Sequence, residues 1–501
     1  MITRFVCFLI LCCAFSASLF AQDASQPSLT IYNEEFAVVR QEIPLDLKPG
    51  ENQVTVSDMT MHLEPDSVIL RDPTGKHAVQ VLEQNYRADP VSESMLLSLY
   101  EGQTIGFENG GQIIKGKVIR SGYTPHNYFA MNRYGQNYYQ QQMNGASQTP
   151  VIEVDGQLRF SLPGTPVFPR LTDDTILKPR LEWVLSADKP GKFPAEFSYV
   201  TGGMTWQADY NIVAPEKGDV VDIVGWVTMD NQSGTTFSNA RIKLMAGDVN
   251  KIQQGGNGRA VTRNVLAGAA QAAFSPSVSE QAFDEYHLYT LERRTTLRDR
   301  ETKQVEFIRA AGVTTKQIYI YDGVKIDSSR YNGWAWENIR NDHSYGTESN
   351  PKIWVMREFR NSDVNHLGMP LPKGRVRFYR RSDDGQIEFT GENVIDHTPH
   401  DETVRIYTGN AFDIAGERRR TNYIVEQGKS TATESFEIKL RNHKKEPVEV
   451  RVVEHLYRAL TWDIASSSSE YKKIDSHTIE FPVTVAPDEE KTISYTAHYT
   501  W

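Results

Sequence analysis

The 501-residue chain carries 54 lysines and arginines against 64 aspartates and glutamates, which gives a formal net charge of -10. Charged residues at 24% and aromatic residues at 10% exclude a disordered, collagen-like or coiled-coil protein. The acidic balance argues against a nucleic-acid partner, because proteins that bind nucleic acid carry a basic surface. A chain of this length is expected to form about three or four structural units, each with its own core.

Residues 1–21 are predicted to be a secretory signal peptide. Arg4 precedes an apolar run over residues 5–20, and Ala21 provides the small residue at which cleavage is expected. The alternative is a retained membrane anchor, which needs about 20 apolar residues, whereas this run is shorter and contains two serines.

The composition of the remaining chain predicts an exported protein. All three cysteines lie in the signal segment, so the mature chain is expected to contain none and to depend on packed cores instead of disulfides. After signal removal no stretch is apolar enough to predict a transmembrane span. We therefore expect a periplasmic, outer-surface or secreted protein.

Residues 22–170 are predicted to form an N-terminal β-rich region with one short helix and a loop rich in tyrosine and glutamine. Asp89 and Pro90 are suited to begin the helix, and Gly102 is suited to end it. Short strands are predicted after it, over residues 104–107, 113–121, 151–154 and 158–162. These strands are compatible with a small SH3-like barrel.

Apolar and polar residues alternate along most of the remaining chain, which is typical of antiparallel strands with one buried face. Val448, Val450 and Val452 illustrate the pattern, and Asp384-Gly385 predicts a hairpin turn. The predicted fold class is therefore mainly β and multi-domain, with antiparallel β-sandwiches and a small N-terminal β/α region. No regular repeat is visible.

The predicted division of the chain follows these patterns. A segment rich in glycine, alanine, glutamine and serine is predicted to be a flexible linker. The units are a signal peptide (1–21), the N-terminal region (22–170), a central β region (171–252), the linker (253–284), a second β-rich region (285–425) and a C-terminal Ig-like β-sandwich region (426–501).

The densest polar cluster, residues 391–402, contains the candidate metal ligands. Glu392, His397, His400 and Glu402 could hold zinc or another divalent ion. Their spacing matches no standard motif such as H-E-x-x-H. The favoured interpretation is a turn whose charges face water, so no cofactor or metal is expected.

Two polar loops carry the candidate partner-binding residues. Tyr138 and Tyr139 lie in the first loop, and Trp334 and Trp336 lie in the second. Exposed aromatic residues can bind sugar rings or the side chains of a partner. The favoured interpretation is that these residues fold back and anchor their own loops.

Several motifs carry a family resemblance, and they stand in the same order along the chain. They are residues 29–58, 82–86, YVTGGMTWQADY (199–210), 225–250, LGMPLPKGRVR (367–377), GENVIDHTPHDE (391–402), GNAFD (409–413) and RNHKKEP (441–447). In these segments the protein resembles the bacterial domain-of-unknown-function family numbered 4139, and more distantly the mucoidy inhibitor A-like proteins. The resemblance implies an exported, β-rich protein and brings no catalytic residues.

The expected function is that of a non-enzymatic cell-envelope or secreted protein that binds an envelope protein or polysaccharide or supports assembly. No G-x-S-x-G motif is present, and no cysteine is expected to survive processing. One alternative is a metal-assisted hydrolase of envelope glycan or peptide, with His397 and His400 as ligands and Glu392 or Glu402 as base. A second alternative is a carbohydrate-binding protein that uses the aromatic loops.

Overall fold

The structure, a computed structural model, describes residues 26–88, 92–123, 149–168, 177–215, 218–247, 278–283, 286–326, 328–426, 428 and 430–501. The predicted signal peptide, most of the predicted linker, and Tyr138 and Tyr139 lie outside these residues. The protein is mainly β, with 64% strand and 5% helix, which confirms the predicted fold class. No helix in the described part of the chain is long and apolar enough to cross a membrane.

The N-terminal part of the chain forms five strands and then a small module. The strands are β1 (Ser28–Tyr32), β2 (Phe36–Leu47), β3 (Gly50–Ser57), β4 (Ile69–Arg71) and β5 (Val79–Arg87), with a 3-10 turn (Pro65–Ser67) before β4. The module contains α1 (Glu93–Leu99), β6 (Thr104–Asn109), β7 (Gln112–Arg120), β8 (Val151–Val154), β9 (Gln157–Arg159) and β10 (Thr165–Val167).

The module is an antiparallel sheet with a core of its own. Its strand order is β10-β6-β7-β8-β9, and α1 adds Leu97 to a cluster that includes Phe107 and Val118. The helix is shorter than predicted, because the Ser92 hydroxyl accepts a hydrogen bond from the Met95 amide at 3.2 Å and caps its first turn. Closure of this sheet into an SH3-like barrel stays a prediction.

The remaining elements build two larger units. The first part of this region contains β11 (Arg180–Ala187), β12 (Gly191–Gly202), β13 (Met204–Ala214), β14 (Val220–Asn231), β15 (Phe237–Ala246), β16 (Val278–Phe283), β17 (Tyr286–Leu291), β18 (Thr295–Leu297) and β19 (Glu301–Thr314). The middle part contains β20 (Lys316–Asp322), β21 (Val324–Lys325), α2 (Ser328–Tyr331), α3 (Trp336–Asn341), β22 (Glu348–Ser349), β23 (Lys352–Arg360), a 3-10 turn (Asp363–Asn365), β24 (Gly374–Arg381), β25 (Ile387–Ile395) and β26 (Thr403–Glu426). The last part contains β27 (Thr431–Asn442), β28 (Val448–His455), β29 (Thr461–Ser467), β30 (Lys472–Lys473), β31 (Thr478–Val485) and β32 (Glu490–Thr500).

The first sandwich consists of three sheets around one apolar core. The sheet orders are β16-β17-β15-β1-β2-β12-β4, β19-β14-β13-β24-β25 and β3-β11-β5. Buried residues from Leu29 to Ile406 form its core, which includes Trp183, Phe197 and Trp206. Because β1 pairs with β15 and β2 pairs with β12, strands of the predicted N-terminal and central regions share this core.

The second sandwich consists of one long sheet that folds over its own core. Its strand order is β29-β32-β27-β26-β23-β20-β28-β31-β30. The two layers face each other, since the rings of Phe481 in β31 and Tyr495 in β32 have centroids 5.5 Å apart. Strand β26 has 24 residues and serves both sandwiches: Val404 and Ile406 lie in the first core, whereas Ile414 lies in the second.

Three buried asparagines form the same corner at a strand end. Asn231, Asn361 and Asn442 are at most 1% exposed, and the side-chain nitrogen of each lies within 3.3 Å of three backbone carbonyls. These carbonyls belong to Thr235, Leu297 and Arg298, to Met369, Thr398 and Pro399, and to Glu446, Val485 and Ala486, respectively. Each side-chain oxygen also accepts a hydrogen bond from a backbone amide.

The three corners also share their topology. The strand after each asparagine, β15, β24 or β28, pairs in parallel with β1, β13 or β20. The returning strand, β19, β26 or β32, pairs antiparallel with the strand that leads to the asparagine. Just before the returning strand, Arg300, Asp401 and Asp488 have positive φ values of 56°, 64° and 53°. The fold therefore contains a repeated corner that was not visible in the sequence.

Candidate binding site

The core of the second sandwich contains an ion pair between Arg418 of β26 and Glu454 of β28. The Arg418 Nε donates to the two carboxylate oxygens at 2.8 and 2.9 Å, and the Tyr495 hydroxyl donates to the same carboxylate at 2.5 Å. Glu454 is fully buried, so its charge must be balanced inside the core. Burial alone lowers the pKa of Arg418, but the Glu454 carboxylate outweighs burial and raises this pKa above its usual value.

A second buried ion pair joins Arg458 to Glu434 of β27. The Arg458 Nε lies 2.8 Å from a Glu434 carboxylate oxygen, and Arg420 of β26 lies 3.1 Å from the same oxygen. Arg458 and Glu434 are only 2% and 3% exposed. The Arg458 guanidinium also lies 4.5 Å from the centroid of the Tyr423 ring, so it is stabilised by an aromatic face as well.

The three arginines of these pairs also bind the main chain of residues 328–350, which we call the anchored loop. Arg418, Arg458 and Arg420 donate to four of its carbonyls, and three of these bonds measure 2.6, 2.8 and 3.1 Å. The carbonyls belong to Ile339, His343, Tyr345 and Gly346. A guanidinium has five N–H donors in a rigid fork, so it can bind a carboxylate and carbonyls together. The interior of the sandwich therefore fixes the position of this loop.

Trp334 is the exposed aromatic residue of the anchored loop. It is 39% exposed, and its ring packs edge-on against Tyr331 with centroids 5.1 Å apart. Tyr331 contacts Tyr345 at the same centroid distance, and Tyr345 lies 5.7 Å from the Arg458 guanidinium. A series of contacts thus runs from the buried arginine to the exposed tryptophan. Trp336 begins α3, and its side chain lies outside the described residues.

Two of the candidate metal ligands make separate local contacts. Glu392 of β25 forms an ion pair with Arg377 at 3.1 Å, whereas the His397 Nδ1 accepts a hydrogen bond from the Lys373 amide at 3.1 Å. Among the residues that the structure describes, no group of three or more histidine, cysteine, aspartate or glutamate side chains is placed to hold a metal ion. The four candidates are therefore not brought together as a metal site.

The other two candidates, His400 and Glu402, lie in the turn of the Asn361 corner. The His400 Nδ1 lies 3.2 Å from the Asp401 carboxylate, and the Asp401 amide donates to the Asn361 carbonyl at 2.7 Å. Glu402 is exposed and follows the residue with positive φ, and glutamates stand close behind that residue in the other two corners as well. The turn thus accounts for this concentration of polar residues.

The buried arginines and glutamates are not among the residues predicted from the sequence, although the sequence contains a signal for the glutamates. Glu454 continues the inward-facing series Val448, Val450 and Val452, and Glu434 likewise stands at a buried position in the alternation of β27. A charged residue at an inward position of a strand must be paired inside the protein. The inward positions of Glu454 and Glu434 would therefore have indicated that buried ion pairs lie in this core.

A shallow groove elsewhere is a weaker candidate. It has a volume of about 510 Å³ and is lined by Pro65, Gln84, Asn85, Tyr86, Arg87 and Glu182. One of its polar side chains already serves the fold: Gln84 donates to the Pro65 carbonyl at 2.6 Å and accepts from the Trp183 indole at 2.8 Å. Gln84 is therefore committed to these contacts.

The fold and the anchored loop together define a class of protein: two β-sandwiches that share a long strand, with a preorganised loop on the second. A family model described as a domain of unknown function, DUF4139, matches residues 195–501. This match covers more than half of the chain, so the protein belongs to that family, as the resemblance of its motifs predicted. Comparison with curated proteins gives no match. The similarity to mucoidy inhibitor A stays a prediction.

Proposed function

We propose that the protein is an exported, non-enzymatic binding protein of the bacterial cell envelope, either retained there or secreted. In this proposal the anchored loop contacts the partner, which is an envelope protein or a polysaccharide. The observation that carries the proposal is the position of Trp334, which is 39% exposed on a loop whose main chain is bound by core arginines.

The energetics of the buried ion pairs support this role. Replacing such a pair by apolar residues of similar volume is often neutral or stabilises a protein by about 1–4 kcal/mol. Two such pairs in one core are therefore poorly explained by stability alone, whereas the carbonyls that they bind give them a positioning role. A loop that is already ordered saves about 0.5–1.5 kcal/mol per side chain that binding would otherwise immobilise. Tryptophan is also enriched among the residues that dominate binding energies.

The export component rests on the N-terminal sequence. Arg4, the apolar run and Ala21 form the pattern of a cleaved signal, and all three cysteines lie within it. We expect the envelope or culture-medium fraction to contain a chain that begins at Gln22, as read by N-terminal sequencing. Accumulation of the full-length chain in the cytosol would contradict export.

The non-enzymatic component is supported by the separate partners of Glu392, His397 and His400. The hydrolase alternative requires one bound metal ion per chain. We expect elemental analysis of protein purified without chelators or metal-affinity resin to give far less than one ion per chain. A stoichiometric ion that is lost in His397→Ala would favour the hydrolase.

The direct test of the binding proposal is Trp334→Ala. Immobilised mature protein is incubated separately with solubilised envelope proteins and with purified envelope polysaccharide, and the bound material is quantified. We expect Trp334→Ala to reduce capture of either the envelope proteins or the polysaccharide about tenfold or more, because it removes a tryptophan that the bound partner would bury. Tyr471→Ala is the matched control, since Tyr471 is 40% exposed and lies outside the anchored loop.

The thermal midpoint of unfolding separates a binding defect from a folding defect. Trp334→Ala should lower the free energy of unfolding by about 1 kcal/mol, because one edge-on aromatic contact is lost and the core residues are unchanged. Equal capture by the wild type and Trp334→Ala, or an equal loss in Tyr471→Ala, would refute the role of the loop.

A further inference from the structure

A series of polar side chains crosses the junction between the two sandwiches. Arg357 of β23 is 2% exposed and lies 5.6 Å from the ring centroid of Phe378, which belongs to the first core. Its guanidinium donates to the Thr315 hydroxyl at 2.8 Å and to the Gln317 side-chain oxygen at 3.2 Å. Both of these partners are neutral, whereas a buried cation needs negative charge close to it.

The charge of Arg357 is only partly balanced. The Asp219 carboxylate lies 3.6 Å away, but the Asp219 side chain is 62% exposed, so water weakens the attraction. A second cation, Arg380 of β24, lies close enough to repel Arg357. Burial, and after it the charge of Arg380, lowers the pKa of Arg357, which means that the cationic form is disfavoured here.

Tyr319 and Lys444 continue the series towards the surface. The Tyr319 hydroxyl accepts hydrogen bonds from the Gln317 side-chain nitrogen at 2.6 Å and from the Lys444 Nζ at 2.8 Å. With two bonds accepted, this oxygen must direct its own proton elsewhere. Among the residues that the structure describes, no acceptor lies within hydrogen-bond distance for that proton. The Lys444 side chain is 26% exposed, and its Nζ lies 3.7 Å from the carboxylate of Glu446, whose side chain is 71% exposed. This end of the series therefore reaches solvent.

We propose that this junction binds an oxyanion, that is, a carboxylate, sulfate or phosphate group. The anion accepts the Tyr319 proton and a hydrogen bond from Lys444, and it supplies the negative charge that Arg357 lacks. Charge-assisted bonds of this kind are among the stronger hydrogen bonds in proteins, and junctions between folded units are frequent ligand sites. The source of the anion is either a free inorganic ion or the acidic sugar of an envelope polysaccharide. The site is independent of the anchored loop.

Isothermal titration calorimetry of the full mature chain tests this proposal. The probes are inorganic sulfate, inorganic phosphate and D-glucuronate, each compared with chloride at equal ionic strength. We expect saturable binding of at least one oxyanion, and about a tenfold weaker Kd in both Lys444→Met and Tyr319→Phe, because each loses one bond to a charged ligand. Lys445→Met is the matched control, since its side chain is 85% exposed and pairs with Asp488 instead.

The pattern of binding decides the outcome. Binding of sulfate or phosphate alone identifies a free inorganic ion, and binding of glucuronate identifies an acidic sugar; either result supports the site. No saturable binding of any probe to the wild type would overturn the proposal. It is overturned equally if Lys444→Met, Tyr319→Phe and Lys445→Met all bind the probe as the wild type does, each variant having first shown a cooperative thermal transition.

Discussion

The two sandwiches hold their interior charges in different ways. In the first, Glu196 joins β12 to Arg40 of β2 and Arg71 of β4; its side chain is 8% exposed, whereas each arginine is 62% exposed. In the second, the side chains of Glu454 and Arg418 are 0% and 3% exposed. Water and salt reach the arginines of the first cluster but neither member of the second pair. The first cluster joins neighbouring strands, and the second fixes a loop.

Whether a charge pair is buried or exposed therefore matters more for its effect on stability than whether the pair is present. A surface pair contributes little and can be lost. A fully buried pair carries a large desolvation cost, so its geometry must be held accurately. In the second sandwich that accuracy extends to the carbonyls of the anchored loop, which the same guanidinium groups bind.

The largest expected effect comes from removing one member of the buried pair. Glu454→Ala should lower the free energy of unfolding by about 3–5 kcal/mol, because Arg418 stays in the core without its partner. The matched variant, Glu196→Ala, should cost about 1 kcal/mol, because its two arginines can turn into water. Urea unfolding followed by tryptophan fluorescence measures both. Equal losses would show that the two clusters do not differ as described.

A feature that the sandwiches share predicts the next effect. Asn231→Asp in the first and Asn442→Asp in the second should each lower the free energy of unfolding by about 2–3 kcal/mol, because a donor that faces buried carbonyls becomes an acceptor. The two losses should be similar although the surrounding sequences differ. Asn52→Asp, near the start of β3, is the control, since Asn52 bonds the exposed carbonyls of Lys48 and Gly50. A large loss at only one buried site would break the equivalence of the corners.

The smallest expected effect is a pH dependence of the second sandwich. The His455 Nε2 lies 2.9 Å from Asp322; burial alone lowers the pKa of His455, but this hydrogen bond, with help from Glu454 and Asp475, raises the pKa above its usual value. The protonated ring therefore stabilises the fold fully below about pH 6.5, and the contribution is lost as pH rises through the folded-state pKa. His455→Gln should flatten the decline in the urea midpoint between neutral and mildly alkaline pH. An unchanged decline would refute the assignment.

Sequence periodicity predicted the strands where apolar residues alternate with polar ones, as Val448, Val450 and Val452 do. It did not predict the ion pairs, because the alternation places Glu434 on the inward face of its strand but does not identify Arg458, which only the fold brings close, as its partner. Nor did it predict the asparagine corners. Their bonds go to backbone carbonyls, which any residue supplies, so the side chains around Asn231, Asn361 and Asn442 are free to differ.

The polar cluster at residues 391–402 shows the opposite case, in which the sequence suggests a site that the fold does not assemble. Four chemically suitable residues stand close together in sequence, but Glu392 lies on a strand whereas His400 and Glu402 lie in the turn that follows. Glu392 pairs with Arg377 of the neighbouring strand, whereas the His400 Nδ1 lies beside Asp401 in the turn, so proximity along the chain does not produce convergence. For Trp334 the sequence allowed two roles, an anchor of its own loop or a contact residue for a partner. In the structure Tyr331 and Tyr345 lie between Trp334 and the core.

The length of β26 has a consequence for how the protein unfolds. This strand contributes Val404 and Ile406 to the first core and Ile414 to the second. Neither sandwich can therefore unfold without disrupting a strand that the other sandwich also needs. The two cores should therefore lose their structure as a single cooperative unit. A fragment cut out at residue 426 would carry β27 to β32 with the hydrogen-bonding edge of β27 left bare, and such an edge invites aggregation.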